Sequence, residues 1–364
     1  MKISQLYTYP VKSLREVRMS EAEIAKHGFA YDRRFMLLKV VMDGDSESGQ
    51  ALKNMHIPAF PELSRFLVDM RLPEDEDDVG EFTVSWSKPG SDYDEARSLT
   101  VPLSPDVADL EPIEVDMHGS PTKAYNMGSE YNDWFSSCLD YPIIFAYIGP
   151  YQRRVLMSTT PIRPPKPTGW LSSIMTYALG TGMPTEHVAF ADGAHFLVCS
   201  ETSLIEASSR LPDGQEMDMT KFRPSIVVAG ADKAWEEDFW HEIQIGDIKI
   251  VLAQNCGRCK SINIDYVTGA PGKGESGKIM ARLAKDRRVD KGNKWHPVFG
   301  RYGFLAPGSP GIGMSLAVGD EVQVTKRGTE HTKFGRDEET WRVERSYTNC
   351  IRQIGQVWQP IDLV

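Results

Sequence analysis

The alternating apolar run Ile248, Ile250, Leu252 closes on Asn255 and passes at once into Cys256-Gly257-Arg258-Cys259, and nothing else in the chain constrains it as tightly. Period-two alternation marks a strand with one buried face, so the two thiols stand where a strand gives way to a loop. A strand-end thiolate with cationic side chains nearby suits a soft metal centre or a redox reaction. Spacing alone leaves a zinc half-site, a dithiol switch and two unrelated cysteines all open.

The surrounding pattern is rich in strands. Ile3 to Tyr9, Phe35 to Val41, Phe196 to Cys199, Phe222 to Val228, Ile245 to Leu252 and Val318 to Val324 read as strands, with Gly28 marking a turn before the second. Tyr131 to Leu139 reads as a short amphipathic helix burying Trp134 and Phe135. A second helix, capped by Ser200 or Thr202, carries Leu204, Ile205 and Leu211 on one side. Two acidic stretches, Asp43 to Gly49 and Pro73 to Asp78, read as surface loops, and the four prolines between Pro161 and Pro167 as a connector. There is no internal repeat and no regular βαβ alternation, so the expected class is α+β with barrel-like sheets. The expected units are 1–165, 166–325 and a C-terminal extension over 326–364.

A formal net charge of −10 argues against nonspecific nucleic-acid binding. Five cysteines form no regular framework, which favours a reducing compartment. With no signal-peptide pattern and no spanning run, the chain reads as soluble and cytoplasmic, with mitochondrial association if a targeting segment has been removed.

Gly272 to Lys278 matches the first seven positions of a phosphate-cradling loop, but Ile279 stands where Ser or Thr should hold magnesium, so nucleotide hydrolysis is rejected. The eight histidines show no ligand spacing, and zinc on Cys256 and Cys259 would need two ligands that the neighbouring sequence does not offer. Lys12, Arg33, Arg34 and Arg223 lie beside strand ends. Each alone reads as a surface charge or ion pair, whereas several together are what a bound phosphate needs. Asp192-Gly193 reads as a turn whose glycine amide could approach an anion.

In order and spacing, Tyr9-Pro10-Val11-Lys12-Ser13, Gly28 and Asp32-Arg33-Arg34-Phe35 resemble the N-terminal β-barrel domain that accompanies MOSC domains. Phe222-Arg223-Pro224-Ser225, Glu237-Asp238-Phe239-Trp240, Cys256-Gly257-Arg258-Cys259, Asp265 to Gly269, Pro297 to Tyr302 and Val318-Gly319-Asp320 resemble the MOSC core. The set is most similar to the amidoxime-reducing components and their bacterial relatives. That resemblance implies a molybdenum cofactor (molybdopterin) with Cys259 as the metal ligand and Cys256 as a neighbour. It implies phosphate and pterin contacts from Lys12, Arg33, Asp192, Gly193, Arg223, Ser225 and Gly257, an aromatic at Tyr302, and Asp192 as a possible proton handler. Arg258 and backbone amides would favour the Cys259 thiolate. The family also carries a pyridoxal phosphate label.

The departures are Ser225 where the family usually has Asn and Gly257 where Ser is common, together with the absence of an anchoring N-terminal helix and of a ferredoxin-type cysteine run. The implied reaction is reduction of amidoximes, hydroxylamines, N-oxides and perhaps nitrite, with electrons from a cytochrome b5-type donor and its NADH-dependent reductase. The segment 278–294 carries a net charge of +5 and is either a donor-docking face or a plain solvated helix and loop. Two alternatives use the same residues. One is a cofactor carrier or sulfur-handling module without turnover. The other is a thiol redox protein that needs both Cys256 and Cys259.

Overall fold

The computed structural model describes residues 1–44, 49–75, 77–88, 96–157, 159–161, 186–212 and 214–335. The connector beyond Pro161, the middle of the first acidic loop and Cys350 lie outside the described residues.

Eight strands form the main sheet, in the spatial order Val17–Met19, Lys2–Thr8, Ile226–Ala229, Phe196–Ser200, Val298–Leu305, Ile248–Gly257, Trp240–Ile245 and Val322–Arg327. All neighbours are antiparallel except Phe196–Ser200 with Ile226–Ala229. A bridge from Lys2 to Glu321 and the backbone bond Ile3 N to Asp320 O (2.9 Å) bring the last strand back to the first. The sheet therefore curls into a nearly closed barrel, which leaves little free edge. Its interior is filled by the inward positions of each strand, among them Ile3, Val198, Val228, Trp240, Ile250 and Leu252.

A five-stranded sheet comprises Glu111–Met117, Ser120–Asn126, Ile143–Tyr147, Phe35–Met42 and Gln50–Asn54, and a three-stranded one Leu67–Arg71, Glu81–Trp86 and Arg97–Pro102. Between them lies an aromatic core in which Phe35, Phe82, Phe135 and Phe145 are fully buried. Helix Ser129–Leu139 covers this core through Phe135, Cys138 and Leu139. The fold is α+β and strand-rich, as expected.

Several local expectations shift. Ile245 to Leu252 is not one strand but the turn of a hairpin, because Gly246 takes φ +54° and the chain reverses between Ile245 and Ile248. Phe222 to Val228 yields a strand only from Ile226, since Met219–Phe222 is a 3-10 turn and Arg223 is left-handed (φ +56°). Val318 to Val324 likewise becomes a strand at Val322, after a turn. In helix Glu201–Ser209 the packed face is Ser203 and Ala207, and Ile205 is 69% exposed. The phosphate-loop look-alike has its own packing role: a Cβ on Gly277 would overlap the Gly272 carbonyl, so these glycines allow the loop to fold on itself.

Gly28 shows where the glycine is obligatory. Its φ is +120° and a Cβ would sit 2.5 Å from the His195 carbonyl oxygen, backbone that cannot swing aside. Gly28→Ala is expected to cost about 2 kcal/mol or more, seen as a lower urea midpoint at unchanged slope.

Glu237 provides a pH handle. It is fully buried at the barrel wall and accepts from Ser203 Oγ at 2.7 Å. Burial pushes its carboxyl up to about 7, opposed by Ser203 and helped by neighbouring Asp238. The native state therefore keeps a proton that the unfolded chain has released, so stability falls as pH rises from the ordinary carboxyl value to about 7. Glu237→Gln is expected to flatten that decline, gaining at most about 3 kcal/mol at pH 8 and almost nothing at pH 4. Thermal unfolding across that range checks it, and parallel profiles would refute the assignment.

Candidate functional site: a cationic cleft around an exposed thiol

The chain leaving strand Lys2–Thr8 is pinned by Asp32, whose Oδ1 accepts from the Tyr9 amide (2.9 Å) while Oδ2 pairs with Arg33 Nη1 at 2.5 Å. Arg33 and Arg223 both take left-handed backbone, with φ of +50° and +56°. Their guanidiniums lie over the Tyr9 ring, 4.4 and 4.3 Å from its centroid. An aromatic face steadies cations without neutralising them. Burial raises the Tyr9 phenol well above its ordinary range, with the two arginines opposing, so Tyr9 stays neutral and donates to the Pro224 carbonyl at 3.2 Å.

Lys12 is buried and forms an ion pair with Asp192. Burial would raise the Asp192 carboxyl, but Lys12 and then His118 outweigh it and hold it well below the usual carboxylate range. The Asp192 side chain is 63% accessible all the same, because it faces open cleft space while protein crowds its other sides. His118 Nε2 lies 3.6 Å from Asp192 Oδ1.

The thiols differ sharply. Cys256 is 2% exposed and accepts from Arg258 Nη1 at 2.8 Å, while Arg258 Nη2 donates to the Phe222 carbonyl at 2.8 Å. The Tyr302 phenol is raised well above its ordinary range, first by burial and then by Cys256. Cys259 is exposed at the start of the 3-10 turn Lys260–Asn263, its Sγ 3.1 Å from Ser261 Oγ. Arg258 hydrogen-bonds Cys256 directly, because strand Ile248–Gly257 points Cys256 inward and the loop turns Cys259 out, while its charge still reaches Cys259 through space. Gly257 also has a local reason. A Cβ there would lie 2.5 Å from Asn293 Nδ2 and 3.2 Å from His296 Cβ, so a serine at this position would make the Asn293 side chain turn aside.

A cavity of about 110 Å³ is lined by Arg33, Asp192, Arg223, Ser225, Gly257 and Cys259, with Gly193 and Tyr302 completing its wall. Lys12 reaches it through Asp192. The other site residues named from sequence line this one cleft, which opens to solvent at Cys259 and Asp192, whereas Arg34 turns away to the Gly149 carbonyl. Ser225 is buried and its hydroxyl accepts from the Leu197 amide at 3.3 Å, so it ties the sheet beneath the cleft. Gly193 has ordinary backbone, and its Cβ position is bordered only by Met157 Cε at 3.5 Å.

Beyond Asp192, Gly193 and Tyr302 lies a second cavity of about 200 Å³, reached by His118, Arg153 and Phe334. Sequence reading missed these three. The signal for His118 was its place before Gly119 in the turn of a hairpin, where it takes φ +62°. Arg153 is 2% exposed, donates to the carbonyls of Ala189 (3.1 Å) and Asp192 (3.0 Å), and so fixes the Asp192 loop. A larger cavity of about 350 Å³, between Ile245–Ile248 and Met314–Leu316, has carboxylates but no thiol or cation on its wall.

These residues suit an anionic cofactor with a soft metal. Arg33 and Lys12 are balanced by Asp32 and Asp192, but Arg223 has no carboxylate partner among the described residues. Its Nη1 donates to the Leu14 carbonyl at 2.7 Å, and its buried Nη2 has no partner. An orphaned guanidinium nitrogen in a buried site is costly unless an anion meets it. No three His, Cys, Asp or Glu side chains converge as a metal site among the described residues. A metal at Cys259 would take one protein sulfur and bring its other ligands with it.

Part of the basic segment is withdrawn from solvent and the rest stays exposed. Arg287 is buried against Asp238 at 2.6 Å, and Arg282 and Lys278 both pair with Glu275. Lys285, Arg288, Lys291 and Lys294 stay exposed. Among the described residues no helix is long and apolar enough to cross a membrane.

Comparison with known proteins agrees with this architecture. Residues 1–142 match the MOSC N-terminal beta barrel domain and residues 185–323 match the MOSC domain. The chain is 26% identical to mitochondrial amidoxime-reducing component 1 of Mus musculus over 328 residues, 88% of this chain and 81% of that protein. Its human counterpart is 27% identical over 330 residues, with coverage of 88% and 82%. Mitochondrial amidoxime reducing component 2 of Rattus norvegicus is 27% identical over 326 residues, again covering 88% and 82%. None of these matches supports the pyridoxal phosphate expectation. With both domain types matched in order around a nearly closed barrel, the chain belongs to the MOSC-domain family, similar along most of its length to the amidoxime-reducing components.

Proposed function

We propose that this protein is a molybdenum-cofactor-dependent reductase that removes oxygen from N-hydroxylated compounds such as amidoximes and hydroxylamines. The observation that carries the reading is the exposed Cys259 thiol opening into the same cleft as Arg223, whose buried Nη2 lacks a partner. The similarity to proteins named for amidoxime reduction supports it.

In this reading Cys259 gives a thiolate sulfur to the metal, a soft ligand for a sulfur-rich centre. Arg223 meets the cofactor's phosphate, with Arg33 and Lys12 adding positive charge nearby, and Ser225 and Gly257 hold the backbone around it. The molybdenum cofactor, when bound, supplies the two-electron chemistry needed to reduce an N–O bond. The chain's own task is to place the substrate and move protons. Asp192, held ionised by Lys12, is poorly suited to donate a proton, and His118 stands beside it at the cleft with Nε2 3.6 Å from its Oδ1. Net conversion of N–OH to N–H consumes two electrons and two protons and releases water. The electrons come from a separate donor of the cytochrome b5 type with its NADH-dependent reductase, and the chain works in the cytoplasm or at mitochondria.

Metal analysis of protein purified from a cofactor-competent host, with benzamidoxime reduction by dithionite-reduced viologen, tests the reading. Near-stoichiometric molybdenum with turnover supports it. Bound cofactor without turnover would make the chain a carrier, and protein free of molybdenum would overturn both.

A further inference from the structure

The 200 Å³ cavity beside the thiol cleft has an apolar wall in Val155, Leu156 and Met157 and a polar end at His118 and Asp192. Arg153, Gly193 and Tyr302 continue its wall, together with Phe334, a residue beyond the matched MOSC domain, which ends at 323. After strand Val322–Arg327 the chain does not leave the barrel. Gly328 N bonds the Phe239 carbonyl at 2.8 Å, His331 Nδ1 lies 3.4 Å from Asp238 Oδ2, and Thr332 Oγ1 accepts from the Asn255 amide at 3.2 Å. Phe334 N donates to buried Asp290 Oδ1 at 2.8 Å. Gly292 lets the strap pass, since a Cβ there would overlap the Phe334 carbonyl oxygen. Four anchors in seven residues make a built wall of this strap.

We propose that this cavity is the substrate chamber and that Phe334 limits it to substrates carrying their N–O group on a single flat ring, an assignment that rests on the reductase reading. The chamber meets the cofactor cleft at Asp192, Gly193 and Tyr302, so a ring held between Met157 and Phe334 directs its polar head toward His118 and Asp192. Volume sets the size. A cavity of about 150 Å³ accepts benzene, so the 200 Å³ of this partly open cavity seats one ring with a small polar head against Phe334, and a second fused ring would press on that wall or extend past it into solvent. Phe334 and Tyr302 supply aromatic faces.

Three probes separate the outcomes: acetamidoxime with no ring, benzamidoxime with one, and 2-naphthamidoxime with two. In the wild type KM should be lowest for benzamidoxime. Phe334→Ala should raise the benzamidoxime KM about fivefold, the scale of one lost aromatic contact. It should lower that of 2-naphthamidoxime and shift the acetamidoxime KM least of the three. Phe334→Leu should fall between, and Gly292→Ala, which displaces the strap without touching the ring, should move KM in the same direction as Phe334→Ala. Identical KM patterns in wild type and Phe334→Ala would overturn the proposal while leaving the reductase reading intact. If no probe turns over, titration calorimetry of the three with the cofactor-loaded protein decides. Ring-dependent binding that Phe334→Ala weakens would sink the reductase reading alone, whereas absent or equal binding would sink the chamber.

Discussion

Replacing Cys259 with alanine is expected to abolish both molybdenum retention and N–O reduction, while Cys256→Ala keeps most of each. Losing a group that merely orients a metal ligand costs about 10–100-fold in affinity or activity, and losing the protein's own sulfur ligand should cost more. Cys259 is the exposed thiol on the cleft wall and its only described side-chain partner is Ser261 Oγ at 3.1 Å, so its removal should barely disturb the fold. Cys256 is different in kind. It is buried against Arg258, and its loss strands a guanidinium hydrogen at a cost of about 1–3 kcal/mol in stability. Metal content, turnover and melting temperature measured together separate the two. The expected pattern is activity lost at normal stability in one variant and activity largely kept at reduced stability in the other. Equal loss of turnover in both, with metal retained, would point to dithiol chemistry instead.

Arg287→Leu is expected to lower stability by about 3–5 kcal/mol. Arg287 pairs with Asp238 at 2.6 Å, and the Asp238 side chain is fully buried. Arg301 reaches Asp238 only at its backbone carbonyl, its other bonds going to Asn255 Oδ1 and the Leu252 carbonyl. The carboxylate would keep only the through-space charge of Arg301 and His331 at 3.4 Å, whose imidazole burial holds below its ordinary range. The drop corresponds to roughly 4–7 °C in melting temperature for a chain of 364 residues. Arg288→Leu, one residue along but exposed, should change stability by less than about 0.5 kcal/mol. The double replacement of Asp238 and Arg287 by leucine should cost less than Arg287→Leu alone, because the unpaired charge is then gone. If Arg287→Leu melts like the wild type, the pair contributes nothing and the segment regains its reading as a surface face.

The difference between Arg287 and Arg288 also shows what a charge count along the chain does not resolve. A count of charges over 278–294 treats every cation as solvated. Whether one is exposed depends on which side of the Val298–Leu305 strand the segment packs, and that brings Asp238 from 49 residues away. Hairpins were missed for a similar reason. The alternation on either side of Gly246-Asp247 is continuous in sequence, so only the reversal at Gly246 shows that two strands are present.

By itself the sequence determined the strand-rich class, the family and the identities of the residues that line the cleft, because these rest on alternation, turn residues and ordered motifs that are local in the chain. Only the tertiary structure decided how they work together. It brought Lys12 and Arg33 to Asp192, Arg223 and Cys259 at the barrel rim, gave the direct bond of Arg258 to Cys256, and left Arg223 without a carboxylate among the described residues. It also delivered His118 and Phe334, which no local pattern connects, to one cavity. Pairings between residues far apart in the chain depend on barrel closure and on which carboxylates the fold buries, and those are properties of packing that no single stretch of sequence contains.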